Sequence, residues 1–170
     1  ASAAQLLPGV EFPYLWRLLV AAITCAAPVT LWWLVRLFTR STLWATLSAL
    51  AWTLWSPGYA LFEQLNGDRG LAQLPWRLQV LVKYGEGPHN VGLALLPLAI
   101  IAAWSAATRP GFWRIFLAAV AMMAVTLSNW IAAVALAWCM LALLLTGLGT
   151  HAWTNFRVTR VLAAAVLAYL

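Results

Sequence analysis

Apolar residues in this chain come in long blocks separated by short polar or glycine- and proline-rich breaks, the pattern of helices that lie in hydrocarbon rather than of alternating strands. Residues 14–38 predict a first span of about 25 residues, roughly 37 Å of helix, which crosses a ~30 Å hydrocarbon core with tilt. Pro28 at its middle predicts a kink, and Trp16, Trp32 and Trp33 sit towards its ends as interfacial aromatics do. After a tight basic turn at Arg36, Arg40, Ser41 and Thr42, residues 43–55 form a second helix. It is too short to cross unless it continues, broken, through Ser56, Pro57 and Gly58 to about Phe62. Residues 66–90 are polar again and predict a loop. Within it Leu71, Leu74, Leu78, Leu81 and Val82 recur at helical spacing, with Pro75 suited to a first turn and Trp76, Arg77 and Lys83 of interfacial type. Residues 74–83 therefore predict an amphipathic helix lying on the membrane surface. Residues 91–107 give a third span, stopped by Thr108, Arg109, Pro110 and Gly111. Residues 112–147, as one helix of roughly 54 Å, would overshoot a bilayer. The single polar break at Ser128, Asn129 and Trp130 divides them into spans over 112–127 and 131–145. A basic loop with His151, Arg157 and Arg160 precedes a sixth span beginning at Val161.

The expected fold class is thus all-α: a polytopic transmembrane helical bundle of about six spans with kinked helices and one interfacial amphipathic helix, forming a single transmembrane region over 1–170. Composition agrees, with 65% hydrophobic residues, 8% charged and twelve tryptophans, where a soluble domain carries about a quarter charged residues. The net charge of +6 does not point to nucleic acid as a partner, because most basic residues sit beside helix ends, where they anchor topology. Cys25 and Cys139 fall inside apolar runs and read as small core residues. The lead over 1–13 reads as the end of an external loop, and the apolar run still open at Leu170 reads as part of a larger membrane protein. Arg36 and Arg40, then Arg109 and Arg114, then Arg157 and Arg160 all fall on one side of this topology, which the positive-inside rule makes cytoplasmic. The lead, the 66–90 loop and the Ser128–Asn129 turn then face outwards, with all four acidic residues.

Chemistry concentrates in the outer loop. Glu86 and His89 are three residues apart, with Gly85, Gly87 and Pro88 fixing a tight turn. The pair are the candidate catalytic residues, a carboxylate as general base beside an imidazole donor. They also suit a phosphate site, helped by Lys83 and by the first N–H groups of the helix from Val91, with Asn90 as its N-cap. Tyr84 opens the same turn; with Lys83, Asn90, Arg77 and Glu63 it completes the candidate substrate-binding set, and Asp68 shares that face. Plain solvation of loop charges is the alternative reading for Glu86 and His89 and the favoured one for Glu63 and Asp68. No metal site is expected, since zinc needs at least three protein ligands and His151, the only other histidine, falls on the opposite face. No cofactor is expected, although a divalent metal remains compatible. Ser128 and Asn129 are best read as capping their turn. Arg17, one turn inside the outer end of the first span, either snorkels outwards or meets a lipid phosphate.

A Pro-kinked span and basic turn, a second helix ending in Ser56 and Pro57, Gly87-Pro88-His89 leading into Leu95-Leu96-Pro97-Leu98-Ala99, and the Leu127-Ser128-Asn129-Trp130 turn together resemble bacterial multi-spanning proteins of the GT-C glycosyltransferase superfamily. The resemblance covers roughly residues 14–145. It implies a bacterial plasma-membrane transferase that passes a sugar from a polyprenyl-phosphate donor to an acceptor on the external face. It also implies a catalytic Asp or Glu in a first external loop ahead of Ala1, leaving Glu86 and His89 to hold donor phosphate or acceptor. Lys83 or Arg77 would neutralise the phosphate. A transporter or flippase of lipid-like substrates, or a non-catalytic membrane subunit, remains open beside this reading.

Overall fold

The computed structural model describes residues 12–54, 87–149 and 157–169, and all of its regular structure is helical. Six helices follow in order: α1 (Phe12–Thr39), α2 (Thr42–Leu54), α3 (Gly87–Thr108), α4 (Phe112–Ser128), α5 (Trp130–Gly149) and α6 (Val158–Tyr169). Two are long and apolar enough to cross a membrane. They are Tyr14–Thr39 within α1, with mean hydropathy 2.1, and Gly87–Thr108, with 1.9. The other four are shorter apolar helices. Prolines lie inside both long helices, Pro28 in α1 and Pro97 in α3. The continuation of the second helix through Pro57 and the expected surface helix over 74–83 lie outside the described residues.

Two turns are legible in local chemistry. Arg40 adopts a left-handed conformation (φ 56°) and its N–H bonds Arg36 O, so α1 stops and α2 begins within two residues. Between α3 and α4, Pro110 lacks an N–H and Gly111 takes a positive φ of 141°, which only glycine adopts without strain. The α4–α5 hairpin turns at Asn129, in extended conformation, where the overlong apolar run had to break.

α3 is the centre of the bundle, packed against α1, α4, α5 and α6. It runs parallel to α1 at a nearly constant register. Val20 lies against Gly87, Thr30 Oγ1 donates to Ala94 O at 3.0 Å, and the rings of Phe38 and Trp104 meet at 5.2 Å, giving offsets of 67, 64 and 66 residues. Gly87 is therefore level with Val20, and the first two turns of α1 extend roughly 12 Å beyond the start of α3. At the other end, Arg157 N donates to Ala107 O at 2.9 Å, tying the start of α6 to the end of α3. α6 thus runs antiparallel to α3 and parallel to α4, which it packs along.

The interior is built of small residues. Ala99, Ala103, Ala106, Ala107, Ala118, Ala132 and Ala164 are fully buried, and the largest fully buried side chains are the two valines Val125 and Val161. Bulky side chains face outwards instead, among them Trp113 (70% exposed), Trp130 (74%) and Trp138 (67%). Small residues let helix backbones approach closely; a soluble core is dominated by larger aliphatic and aromatic side chains.

Candidate functional site

α3 starts at Gly87, four residues before the expected Val91, so Gly87, Pro88, His89 and Asn90 form its first turn rather than the end of a loop. Pro88 explains the earlier start: its φ is preset for a helix, and its missing N–H costs nothing where the N–H groups have no intrahelical acceptor. Asn90 consequently does not cap the helix. It is 5% exposed, the one buried polar residue among those described, and its Nδ2 has no hydrogen-bond partner. The neighbouring His89 is half-buried, and its Nδ1 is likewise buried without a partner.

A third unpartnered buried atom is Thr24 Oγ1 on α1. The α1–α3 register of 64 to 67 residues places Thr24 level with His89 and Asn90. Sequence reasoning passed over Thr24. Its signal was present, a hydroxyl near the middle of an apolar span, but only the register shows what it is level with. By contrast Thr30, six residues on, donates to Ala27 O and Ala94 O, as a threonine within a helix ordinarily does.

The α4–α5 hairpin closes the same end. A Cβ placed on Gly92 would lie 2.6 Å from Ala132 Cβ and 3.5 and 3.7 Å from the Cβ atoms of Ser128 and Asn129, so α3 and α5 are nearly in backbone contact beside the turn. Asn129 Oδ1 accepts from Ile131 N at 2.8 Å and Ser128 Oγ donates to Ala124 O. Asn129 thus caps the start of α5 as expected, whereas Ser128 bonds back into α4 rather than capping the turn. Thr24, His89, Asn90, Ser128 and Asn129 thus share one end of the bundle, and the first three have polar capacity to spare.

Electrostatically the described residues are one-sided. All seven charged side chains among the described residues are arginines. Six of them, Arg36, Arg40, Arg109, Arg114, Arg157 and Arg160, lie at the end opposite the polar layer. Arg17 is exposed on α1, beyond the start of α3. The polar layer carries no formal charge of its own, yet it holds the positive end of the α3 dipole. An amide N–H₂, a hydroxyl, an imidazole and the first helical N–H groups there suit hydrogen bonding to an oxygen-rich group.

Of the candidates named from the sequence, His89 and Asn90 fall in this layer. Glu86, Lys83, Tyr84, Arg77 and Glu63 lie outside the described residues, as do Asp68 and His151. Among the described residues no group of three or more His, Cys, Asp or Glu side chains comes together to hold a metal ion. Comparison with protein-family models, with curated proteins and with solved structures finds no match for this chain.

Proposed function

We propose that the chain is an integral membrane protein of the bacterial plasma membrane that transfers a sugar from a polyprenyl-phosphate donor to an acceptor on the external face. The membrane part is supported by the inverted packing, alanines inside and six of the nine described tryptophans exposed, and by the two long apolar helices. With the six arginines on the cytoplasmic side, the polar layer faces outwards. Sixteen residues, about 24 Å of helix, separate Thr24 from Arg40, so the layer lies near the outer boundary of a ~30 Å hydrocarbon core. The reaction class rests on the resemblance to the GT-C superfamily.

The observation that carries the placement of the site is the unpartnered, buried pair His89 Nδ1 and Asn90 Nδ2 in the first turn of α3. Leaving such groups unmade costs about 1–3 kcal/mol each, a cost that a bound ligand removes. In the transfer, the acceptor hydroxyl attacks the anomeric carbon, the bond from that carbon to the phosphate oxygen breaks, and polyprenyl phosphate leaves. The acceptor proton passes to a carboxylate base. Glu86, directly before α3, and His89 beside it are the candidates of this chain for holding phosphate or acceptor, with Lys83, Tyr84, Arg77 and Glu63 lending charge and hydrogen bonds from the preceding segment.

The test is transfer of labelled sugar from a polyprenyl-phosphate donor by the full-length protein in liposomes, comparing wild type with Glu86→Gln and His89→Ala. A fall of at least tenfold in either variant is expected, a barrier change of about 1.4 kcal/mol. Turnover unaffected by both changes removes this layer from the site. Absence of turnover with every donor, together with movement of a labelled lipid between leaflets, replaces the transferase by a transporter.

A further inference from the structure

We propose that the arginine end of α4 and α6 is a binding site for a phospholipid headgroup carrying two phosphates. This goes beyond the transferase reading and rests only on its membrane part. Arg109 follows α3, Arg114 lies in the first turn of α4, and Arg157 and Arg160 flank the start of α6. The hydrogen bond from Arg157 N to Ala107 O gathers these four onto one corner of the bundle. No acidic side chain lies among the described residues to neutralise them, and Arg114 and Arg160 are half-buried.

The backbone adds donors at the same corner. α4 and α6 are adjacent and parallel, so their positive ends lie side by side, next to the negative end of α3 that the Arg157 N–Ala107 O bond ties to the start of α6. The residue before α4 is Gly111, with no capping hydrogen bond, and the residue before α6 is Arg157, whose guanidinium can only donate. Neither helix has an acidic residue in its first turn. Four guanidiniums, in the sequence pairs Arg109 with Arg114 and Arg157 with Arg160, therefore present donors with no acidic side chain beside them among the described residues, and two such pairs favour a headgroup with two phosphates over one.

The same corner carries what an acyl chain needs. Phe112, Trp113 and Phe116 form an exposed cluster, with Phe112 and Phe116 stacked at 6.3 Å and Trp113 edge-on to both at 5.7 Å. Aromatic rings at the level of a ring of arginines mark the headgroup boundary, and basic pockets between helices on the cytoplasmic side take lipid phosphates. That combination favours a lipid over an acidic protein segment, which would have no use for the rings.

The experiment is native mass spectrometry of the full-length protein released from micelles containing equal amounts of diphosphatidylglycerol, phosphatidylglycerol and phosphatidylcholine. Wild type is compared with Arg114→Gln/Arg160→Gln and with Arg36→Gln/Arg40→Gln, which removes the same charge at the same end but in the α1–α2 turn. The expected result is retention of diphosphatidylglycerol over the other two lipids, reduced at least tenfold by the first pair of changes and unaltered by the second. Equal losses in the two double variants would reduce the effect to diffuse charge and overturn the site, and so would indifferent retention of the three lipids. Circular dichroism of each variant in the same micelles separates lost binding from lost folding. Sugar transfer that persists while lipid retention fails leaves the outer site standing and removes this one.

Discussion

At the scale of single residues, Asn90 is the position where the proposed function makes stability and activity pull apart. Its amide nitrogen is buried among helices with nothing to donate to, and an orphaned buried donor costs free energy that an apolar side chain of similar size does not. Asn90→Leu is therefore expected to stabilise the protein against thermal unfolding in micelles by about 1 kcal/mol, while sugar transfer falls tenfold or more. A purely structural asparagine gives the opposite pair of results, lower stability with activity retained. Thr24 obeys the same logic across the α1–α3 seam, whereas Asn129 does not. The Oδ1 of Asn129 already accepts from Ile131 N, so the hairpin has a structural use for it. Three polar residues that look alike in sequence are thus separated by one criterion, whether the folded chain has satisfied them.

At the scale of helices, the tightest joint is the crossing of α3 and α5 at Gly92. A methyl group there would stand 2.6 Å from Ala132 Cβ, closer than real side chains approach, and neither partner is a flexible chain end that can move aside. Gly92→Ala is expected to destabilise by about 1–3 kcal/mol, despite alanine's better helix propensity. Adding Ala132→Gly should restore most of the loss, so a thermal-unfolding double-mutant cycle checks the contact directly. Gly87→Ala meets only a Val20 methyl at 3.3 Å and should be far milder. The positions of the helices were largely legible in the sequence because length alone constrains them. The apolar run from Phe112 was too long for one span, and its single polar break at Ser128 and Asn129 is where the structure turns. The start of α3 was not legible. Gly87 and Pro88 signal a turn in most contexts, yet Pro is also at home in a first helical turn, and that second use prevails here. The difference matters, because it moves His89 and Asn90 from a solvated loop into a packed layer. Nor does any single-helix pattern reveal that α1 and α3 are parallel and level at Thr24, since register between distant segments comes from packing at Val20, Thr30 and Phe38.

At the scale of the whole molecule, the charge distribution and the packing inversion make one statement about environment. A chain whose described charges are all arginines, six of them at one end, and which exposes six of its nine described tryptophans over an alanine-rich core would aggregate in water through its exposed apolar surface. In a bilayer the same features are favourable. Bulky apolar side chains meet acyl chains, small ones let the helices close on each other, and the arginines stay at one headgroup layer because carrying them through hydrocarbon costs several kcal/mol each. The orientation proposed above has these arginines on the cytoplasmic side. Single cysteines introduced as Thr42→Cys and Asn129→Cys, in a background with Cys25→Ala and Cys139→Ala, test this in intact cells with a membrane-impermeant maleimide. Asn129→Cys should be labelled from outside, and Thr42→Cys only after the membrane is opened. The reverse pattern would put the polar layer in the cytoplasm, beside soluble nucleotide-linked donors, and would remove the lipid-linked donor from the proposal. Labelling of both positions from outside would mean that one of α2, α3 and α4 does not cross, and with it the bundle itself would have to be redrawn. Because six arginines act together at that end, replacing any one of them should leave the labelling unchanged. Orientation is a property of the sum, while lipid retention at α4 and α6 depends on which arginines remain.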